Sequence, residues 1–409
     1  MKSKYTIAGI LLFALLRGAA GAAERGADAT EERLLRVEKE LSALQESQLK
    51  LKQEIAQSDK SSPAIVRAGG KEIALQLGGM LQVQVDGGDR GDSRFGSDNT
   101  RFYLRRARLG GTAQFNETIE ARVEAEFAGT LSEANAMRAQ LTDGYLQWKP
   151  LDSFHAKAGQ FKTPFGFEQL ASDPRLPTIE RSLGNDRLTL SRQIGIQAGG
   201  DLAAKRLSYA LGAFNGTSVN SSSNDNSKFT LVGRLGIVPL APAKGSKGPR
   251  LALGINGYIS DDDQVSGQGS DYRFNTSTNA TPNNVFAGER AVWGADAQFS
   301  QGPVEIWAEM LNARYEPDNK KPADQVDAEA WYVQATCYLL PEKVQAVLKY
   351  DAFDPNTDAD NDGTDTWTLG LNYYIRGNDL KLQLNYLRSE VESRDATDNK
   401  LIARVQVLF

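Results

Sequence analysis

The sequence predicts an all-β protein: a sixteen-stranded antiparallel transmembrane β-barrel with a short N-terminal periplasmic coiled-coil helix. Three observations lead there. Hydrophobicity repeats with period two from Lys71 to Phe409. Short turns and long loops take strict turns along that stretch. The chain also opens on a secretory leader, and no later run of 18 apolar residues offers a spanning helix.

The leader is Met1–Ala23. Lys2 and Lys4 give a basic start, Thr6–Leu16 an apolar run of secretory length, and Ala20-Gly21-Ala22 a small-residue cleavage pattern. Of 409 residues, 47 are basic and 52 acidic. Losing Lys2, Lys4 and Arg17 leaves 44 basic residues and a net charge of −8 with His155 neutral. So acidic a chain is a poor general partner for nucleic acid, and none is expected. Cys337 is the one cysteine, which excludes an intramolecular disulfide.

Residues 30–57 read as one helix without Gly or Pro. Leu34, Val37, Leu41, Leu44, Gln48, Leu51 and Ile55 recur at alternating spacings of three and four, a heptad seam with Gln48 as its polar member. Other faces are crowded with Glu, Lys, Gln and Arg, which favours a coiled coil over a helix lying on a domain. Residues 58–70 read as a linker, and 71–409 as the barrel.

Single strands decide little, because a half-buried sandwich also alternates. In LIARVQVLF, Leu401, Ala403, Val405, Val407 and Phe409 share one face, opposite Arg404 and Gln406. Connection lengths decide more. Long loops are expected near 86–100, 128–137, 163–189, 215–228, 260–289, 314–328, 352–365 and 390–399. Between them lie mostly short turns, which leaves sixteen strands of about 9–11 residues each. A soluble sandwich has no reason to sort its loops this way. The low mean hydropathy, −0.44, is compatible, since only alternate strand residues face lipid. The last strand ends on an aromatic, Phe409, as outer-membrane barrels do.

The loop at 163–189 is the third long one, and a long loop in a compact protein is usually functional. It follows Lys162 and contains Arg175, Arg181 and Arg187 among Glu168, Asp173, Glu180 and Asp186. Pro164, Pro174 and Pro177 would stiffen it. Phe161, Phe165 and Phe167 would pack it on a wall. Sixteen strands enclose a water-filled lumen, so an infolded loop would narrow the pore; the alternative is an external loop resting on a neighbouring subunit. Strand parity turns Arg106, Arg108, Lys157, Lys349, Lys381 and Arg404 to the lumen. It turns Glu120, Arg122, Glu124 and Glu126 there too, and Arg105 outward unless the strand's external end bends or meets a subunit interface. The expected wall is mixed rather than uniformly basic.

Two motifs carry a bland reading. DADNDG, with Asp358, Asp360 and Asp362, matches the start of a calcium loop, but the position of its bidentate Glu is Leu369; a solvated acidic loop is expected, with no metal or other cofactor. His155 has no ligand or nucleophile motif around it, and no G-x-S-x-G occurs. No enzyme is expected.

The strand FYLRRARLGGTAQF at 102–115, the segment GQFKTPFGFEQL at 159–170, IERSLGNDRLTLSRQIGIQ at 179–197, the leader, the coiled coil and the terminal Phe together resemble the phosphate-selective porins O and P. The resemblance covers nearly the whole chain. It implies a homotrimeric sixteen-stranded channel in the bacterial outer membrane, with the coiled coil in the periplasm. Its surroundings would be outer-membrane lipid and lipopolysaccharide. It implies an anion path lined by Arg105, Arg106, Lys162 and Arg181, with small anions such as phosphate as solutes. Two alternatives stay open: a general, weakly selective porin, or a closed barrel acting as an envelope tether or adhesin.

Overall fold

The computed structural model describes residues 64–68, 71–92, 94–95, 98–128, 139–217, 219–242, 248–266, 285–318 and 325–409. The leader at 1–23 and the coiled coil at 30–57 lie outside the described residues.

Among the described residues, seventeen strands form one antiparallel sheet. They begin with β1 (Ala64–Ala68), β2 (Lys71–Gly88), β3 (Arg101–Gln114), β4 (Ile119–Glu126), β5 (Gln140–Leu151) and β6 (Phe154–Lys162). After the third loop come β7 (Arg192–Leu202), β8 (Leu207–Phe214), β9 (Thr230–Leu240), β10 (Arg250–Ser266) and β11 (Val285–Gln301). The rest are β12 (Val304–Pro317), β13 (Val326–Leu340), β14 (Val344–Asp354), β15 (Thr364–Arg376), β16 (Leu380–Val391) and β17 (Ala396–Leu408).

From β2 onward each strand pairs with the next. The sheet then closes, because β17 returns to β2 with Leu401 opposite Gly87 and Val405 opposite Val83. Closure removes the unpaired edges that lipid cannot hydrate, so β2–β17 form a sixteen-stranded barrel. The short strand β1 pairs with the start of β2, Ala64 opposite Leu75. The linker expected over 58–70 is therefore strand in its second half. Its residues 64–68 carry β-branched Ile65 and Val66, which suit a strand.

Side chains obey the two-residue period. On β13, Trp331 and Val333 are 42% and 44% exposed, while Tyr332 and Gln334 between them are 2% and 1%. The exposed set is apolar and faces lipid; the covered set is largely polar and faces inward. The inward residues are fully covered along β16 but only half covered along β4. Something fills the lumen beside β10–β17 and leaves space beside β3–β9.

Two expectations need correcting. The eighth loop, expected over 390–399, shrinks to the 3₁₀ turn Glu392–Arg394 and Asp395 in the left-handed conformation. Polar Ser389 and Asp398 look loop-like in sequence, yet they sit opposite each other and face inward on β16 and β17. Strand lengths also spread more widely than 9–11 residues, from 8 in β4 and β8 to 18 in β2.

On β6, Gly159 has φ +123°, and a Cβ there would strike the Gly144 carbonyl oxygen and lie 2.8 Å from Tyr145 Cα on β5. We expect Gly159→Ala to destabilise the barrel by about 1–3 kcal/mol. A lower denaturant midpoint for the heat-modifiable, folded band on gels would show it; an unchanged midpoint would refute it.

Candidate functional site

The chain between β6 and β7 folds into the barrel. Its neck is closed where Thr163 donates through its backbone N–H (3.0 Å) and its hydroxyl (3.2 Å) to Ser191 O. It then forms a one-turn helix α1 (Phe167–Leu170), a 3₁₀ turn at Asp173–Arg175, and a helix α2 (Leu183–Leu188) capped by Ser182. Phe161, Phe165 and Phe167 pack edge-on against Phe214, Tyr258 and Trp307 at 5.5, 4.9 and 5.0 Å. The external resting place weighed as an alternative is thereby excluded.

Polar groups on the far wall hold the loop. The Glu309 carboxylate accepts the N–H groups of Phe167 (2.5 Å) and Glu168 (3.0 Å). Lys349 Nζ reaches Glu168 at 2.5 Å, and Glu168 also accepts from Ser182. Asp351 accepts from Leu183 N at 2.9 Å. Lys381 donates to Leu176 O, Asn372 to Pro177 O, and Ile179 N to Asn385. In a water-excluded space each of these backbone groups would be costly without its partner.

Two loop carboxylates gather most of the arginines. Glu180 receives both Nε (2.9 Å) and Nη2 (3.0 Å) of Arg105 and Nη2 of Arg404 (2.8 Å). Asp173 faces Arg106 at 3.3 Å, Arg108 at 2.6 Å and Arg181 at 2.8 Å. Burial alone would raise both carboxyls. The surrounding arginines outweigh it and hold each well below the usual carboxylate range.

Arg105 reaches the lumen because β3 carries a bulge. The register with β2 runs Gln82 opposite Arg106, then Val83 opposite Leu104, leaving Arg105 as the extra residue. Simple alternation would have turned it outward.

The other basic residues divide between locked and open. Arg181 is buried and donates to Glu168 O and Ala171 O; Arg187 is buried in α2. Arg175 is exposed on the loop. Lys157 and Lys162 line a cavity of about 670 Å3 between the loop and the wall from β2 to β9, reaching Leu408 and Phe409, along with Arg108, Arg122, Arg192 and Arg234. Three acids share that lining: Glu124, Asp143 and Asp173. Arg122 takes Glu124 (2.6 Å) and Arg192 takes Asp143 (2.8 Å). Lys162 Nζ donates to Gln169 O (2.6 Å) and Ala171 O (3.0 Å), and Lys157 Nζ sits 4.4 Å from the Tyr145 ring centre. Among the described residues no carboxylate pairs with either lysine.

Sequence reasoning missed a second infolded segment. In the loop between β2 and β3, Phe95 is buried with Ile179, Leu387 and Ile402. Beside it Arg94 donates to Asp92 at 2.9 Å and to the Arg181 carbonyl. An Arg-Phe pair within a Gly- and Asp-rich loop was the available signal. Among the described residues no group of three His, Cys, Asp or Glu side chains is arranged to hold a metal ion.

Because Glu180 and Asp173 are depressed carboxyls, they stabilise the seated loop above the unfolded-chain value, and that stability fades only as pH falls through the folded values. Single-channel records from about pH 7 to about pH 5 should therefore show no new closed state. Asp173→Asn leaves three arginines around a neutral amide. It should loosen the loop by about 3–5 kcal/mol, read as larger open-channel current noise. Noise equal to wild type would count against this seat.

Residues 75–409 match the family model for the phosphate-selective porins O and P. An uncharacterized protein of Aquifex aeolicus (strain VF5) is 24% identical over 407 residues, 88% of this chain and 93% of that one. Among solved structures, the anion-selective porin of Comamonas acidovorans aligns with a TM-score of 0.59 at 12% identity, over 83% of this chain and 100% of that one. The outer membrane channel DcaP of Acinetobacter baumannii aligns with a TM-score of 0.57 at 16% identity, over 85% and 100%. These likenesses show a shared fold. With the closed barrel, the infolded third loop and the family match over most of its length, this chain belongs to the phosphate-selective porins O and P and is an outer-membrane porin.

Proposed function

We propose that the porin is a passive channel for small hydrophilic anions, phosphate among them, and performs no chemistry. One observation carries this reading. Every carboxylate on the cavity wall is matched by an arginine, while among the described residues no carboxylate pairs with Lys157 or Lys162. The space a solute crosses is therefore net positive, although the whole chain is acidic. A local field of this kind, between low-dielectric walls, is what selects ions.

The porin is further proposed to work as a homotrimer in outer-membrane lipid and lipopolysaccharide, with the coiled coil in the periplasm. A trimer form is the state named for OmpT of Vibrio cholerae, whose fold aligns with a TM-score of 0.56. Fewer than four heptads are marginal alone, so the helix would act together with barrel contacts.

The deciding experiment is the reversal potential of the purified protein in planar bilayers under a salt gradient, repeated with phosphate. Preference for anions is expected, and Lys157→Glu with Lys162→Glu should lower the anion-to-cation permeability ratio by roughly five-fold or more. Weak or cation preference in the wild type would make it a general porin. Absence of conductance would favour a closed tether or adhesin.

A further inference from the structure

We infer that Arg192 determines which anions the channel holds: its guanidinium fork, with the Lys162 ammonium across the sheet, grips tetrahedral oxyanions such as inorganic phosphate and lets halide pass unheld. This rests on the anion-channel reading and adds a residue outside the basic set that the family resemblance implied. A positive field draws any small anion. Holding one kind in preference takes donors that match its shape. Chloride is a sphere, whereas two oxygens of a phosphate fit two parallel N–H donors of one guanidinium, a geometry that an ammonium lacks.

The arginines that line the cavity are not equivalent. Arg108 spends Nε on Glu126 (2.8 Å) and Nη1 on Asp173 (2.6 Å). Arg122 spends Nη1 on Thr112 (3.2 Å) and Nη2 on Glu124 (2.6 Å). Arg234 gives Nη2 to Asp296 (2.7 Å), and its Nη1 is buried out of reach of solvent. Arg192 differs from all three. It donates through Nε to Asp143 Oδ1 (2.8 Å), and among the described residues neither of its Nη groups meets a partner. The other Asp143 oxygen lies 3.6 Å from Arg122 Nε. A carboxylate placed there fixes the plane of the Arg192 guanidinium from its rear edge and leaves the terminal pair of donors free.

Arg192 on β7 stands directly opposite Lys162 on β6, and both line the cavity. Like charges directly opposite each other destabilise a strand pair on their own; an oxyanion between them relieves that repulsion. Lys162 spends two donors on the carbonyls of Gln169 and Ala171 and keeps a third. Both residues are also held in place. Lys162 precedes Thr163 and Arg192 follows Ser191, the two residues whose hydrogen bonds close the neck of the loop. A fork and an ammonium anchored in this way lose little freedom when the anion arrives, which favours binding.

The test is block of chloride current by inorganic phosphate at equal ionic strength, with the reversal potential recorded in the same bilayers, for wild type, Arg192→Lys and Arg192→Gln. A folded, heat-modifiable band qualifies each variant for measurement. Arg192→Lys keeps the charge and loses the fork. It should raise the half-blocking phosphate concentration about ten-fold while the anion-to-cation permeability ratio stays within about two-fold of wild type. Arg192→Gln should weaken the block at least as much and lower the ratio as well. Three results would overturn the inference and leave the anion channel standing: an unmoved half-blocking concentration in Arg192→Lys, block lost only in step with anion preference across the two variants, or no phosphate block in wild-type channels that prefer anions. Weak or cation preference in the wild type would instead remove the reading on which it rests.

Discussion

The infolded loop depends on burying carboxylates only where cations already wait. Glu168, Asp173 and Glu180 enter a space that water largely leaves, and an unpaired charge there would be expelled or neutralised. Lys349, Arg106, Arg108, Arg181, Arg105 and Arg404 meet them at hydrogen-bonding or near-contact distance. Remove these pairs and the loop carries unpaired buried charges into the lumen. With them in place, Glu309, Asp351, Asn372 and Asn385 can satisfy that backbone. The remaining cavity, its position against β2–β9 and its excess of positive charge all follow from where the loop sits.

Charge pairing also separates structural basic residues from functional ones. A basic residue facing the lumen is not thereby available to a solute. Arg106 is 5% exposed and engaged by Gln82 and Asp173, so it shapes the wall. Among the described residues no carboxylate pairs with Lys157, whose ammonium lies over the Tyr145 and Phe161 rings, so its field reaches the water path. The acidic net charge of the chain says nothing about this division, because paired charges cancel locally and unpaired ones do not.

Much of the barrel was legible in the sequence, because its period is two and each inward or outward assignment follows from one neighbour. Lys349, Lys381 and Arg404 face inward on that rule alone. Legibility failed where the period was interrupted. Arg105 turns in through a bulge, a one-residue register change that a single strand cannot reveal. The second half of the linker looked like a spacer because a five-residue strand is too short to show alternation. Residues 390–399 looked like a loop because polar residues facing an aqueous vestibule resemble polar residues in a turn. Within the site, the loop and its charges were visible, but their pairing was not. Asp173 and Arg106 are far apart in sequence, and nothing local says that one carboxylate will serve three guanidiniums. The Arg94–Phe95 clasp was missed for the same reason.

The bridge at Glu180 bears on how the barrel comes apart. Arg105 lies on β3 and Arg404 on β17, so the carboxylate straddles the seam where the last strand meets the first. A closed sheet would ordinarily unzip most easily there, strand by strand, like a jacket opened at its fastening. Here the fastening is stitched again from within by a residue midway along the chain. Opening the seam means drawing the loop out of the lumen at the same time. Peeling of the terminal strands and extraction of the loop thus become one cooperative event rather than two.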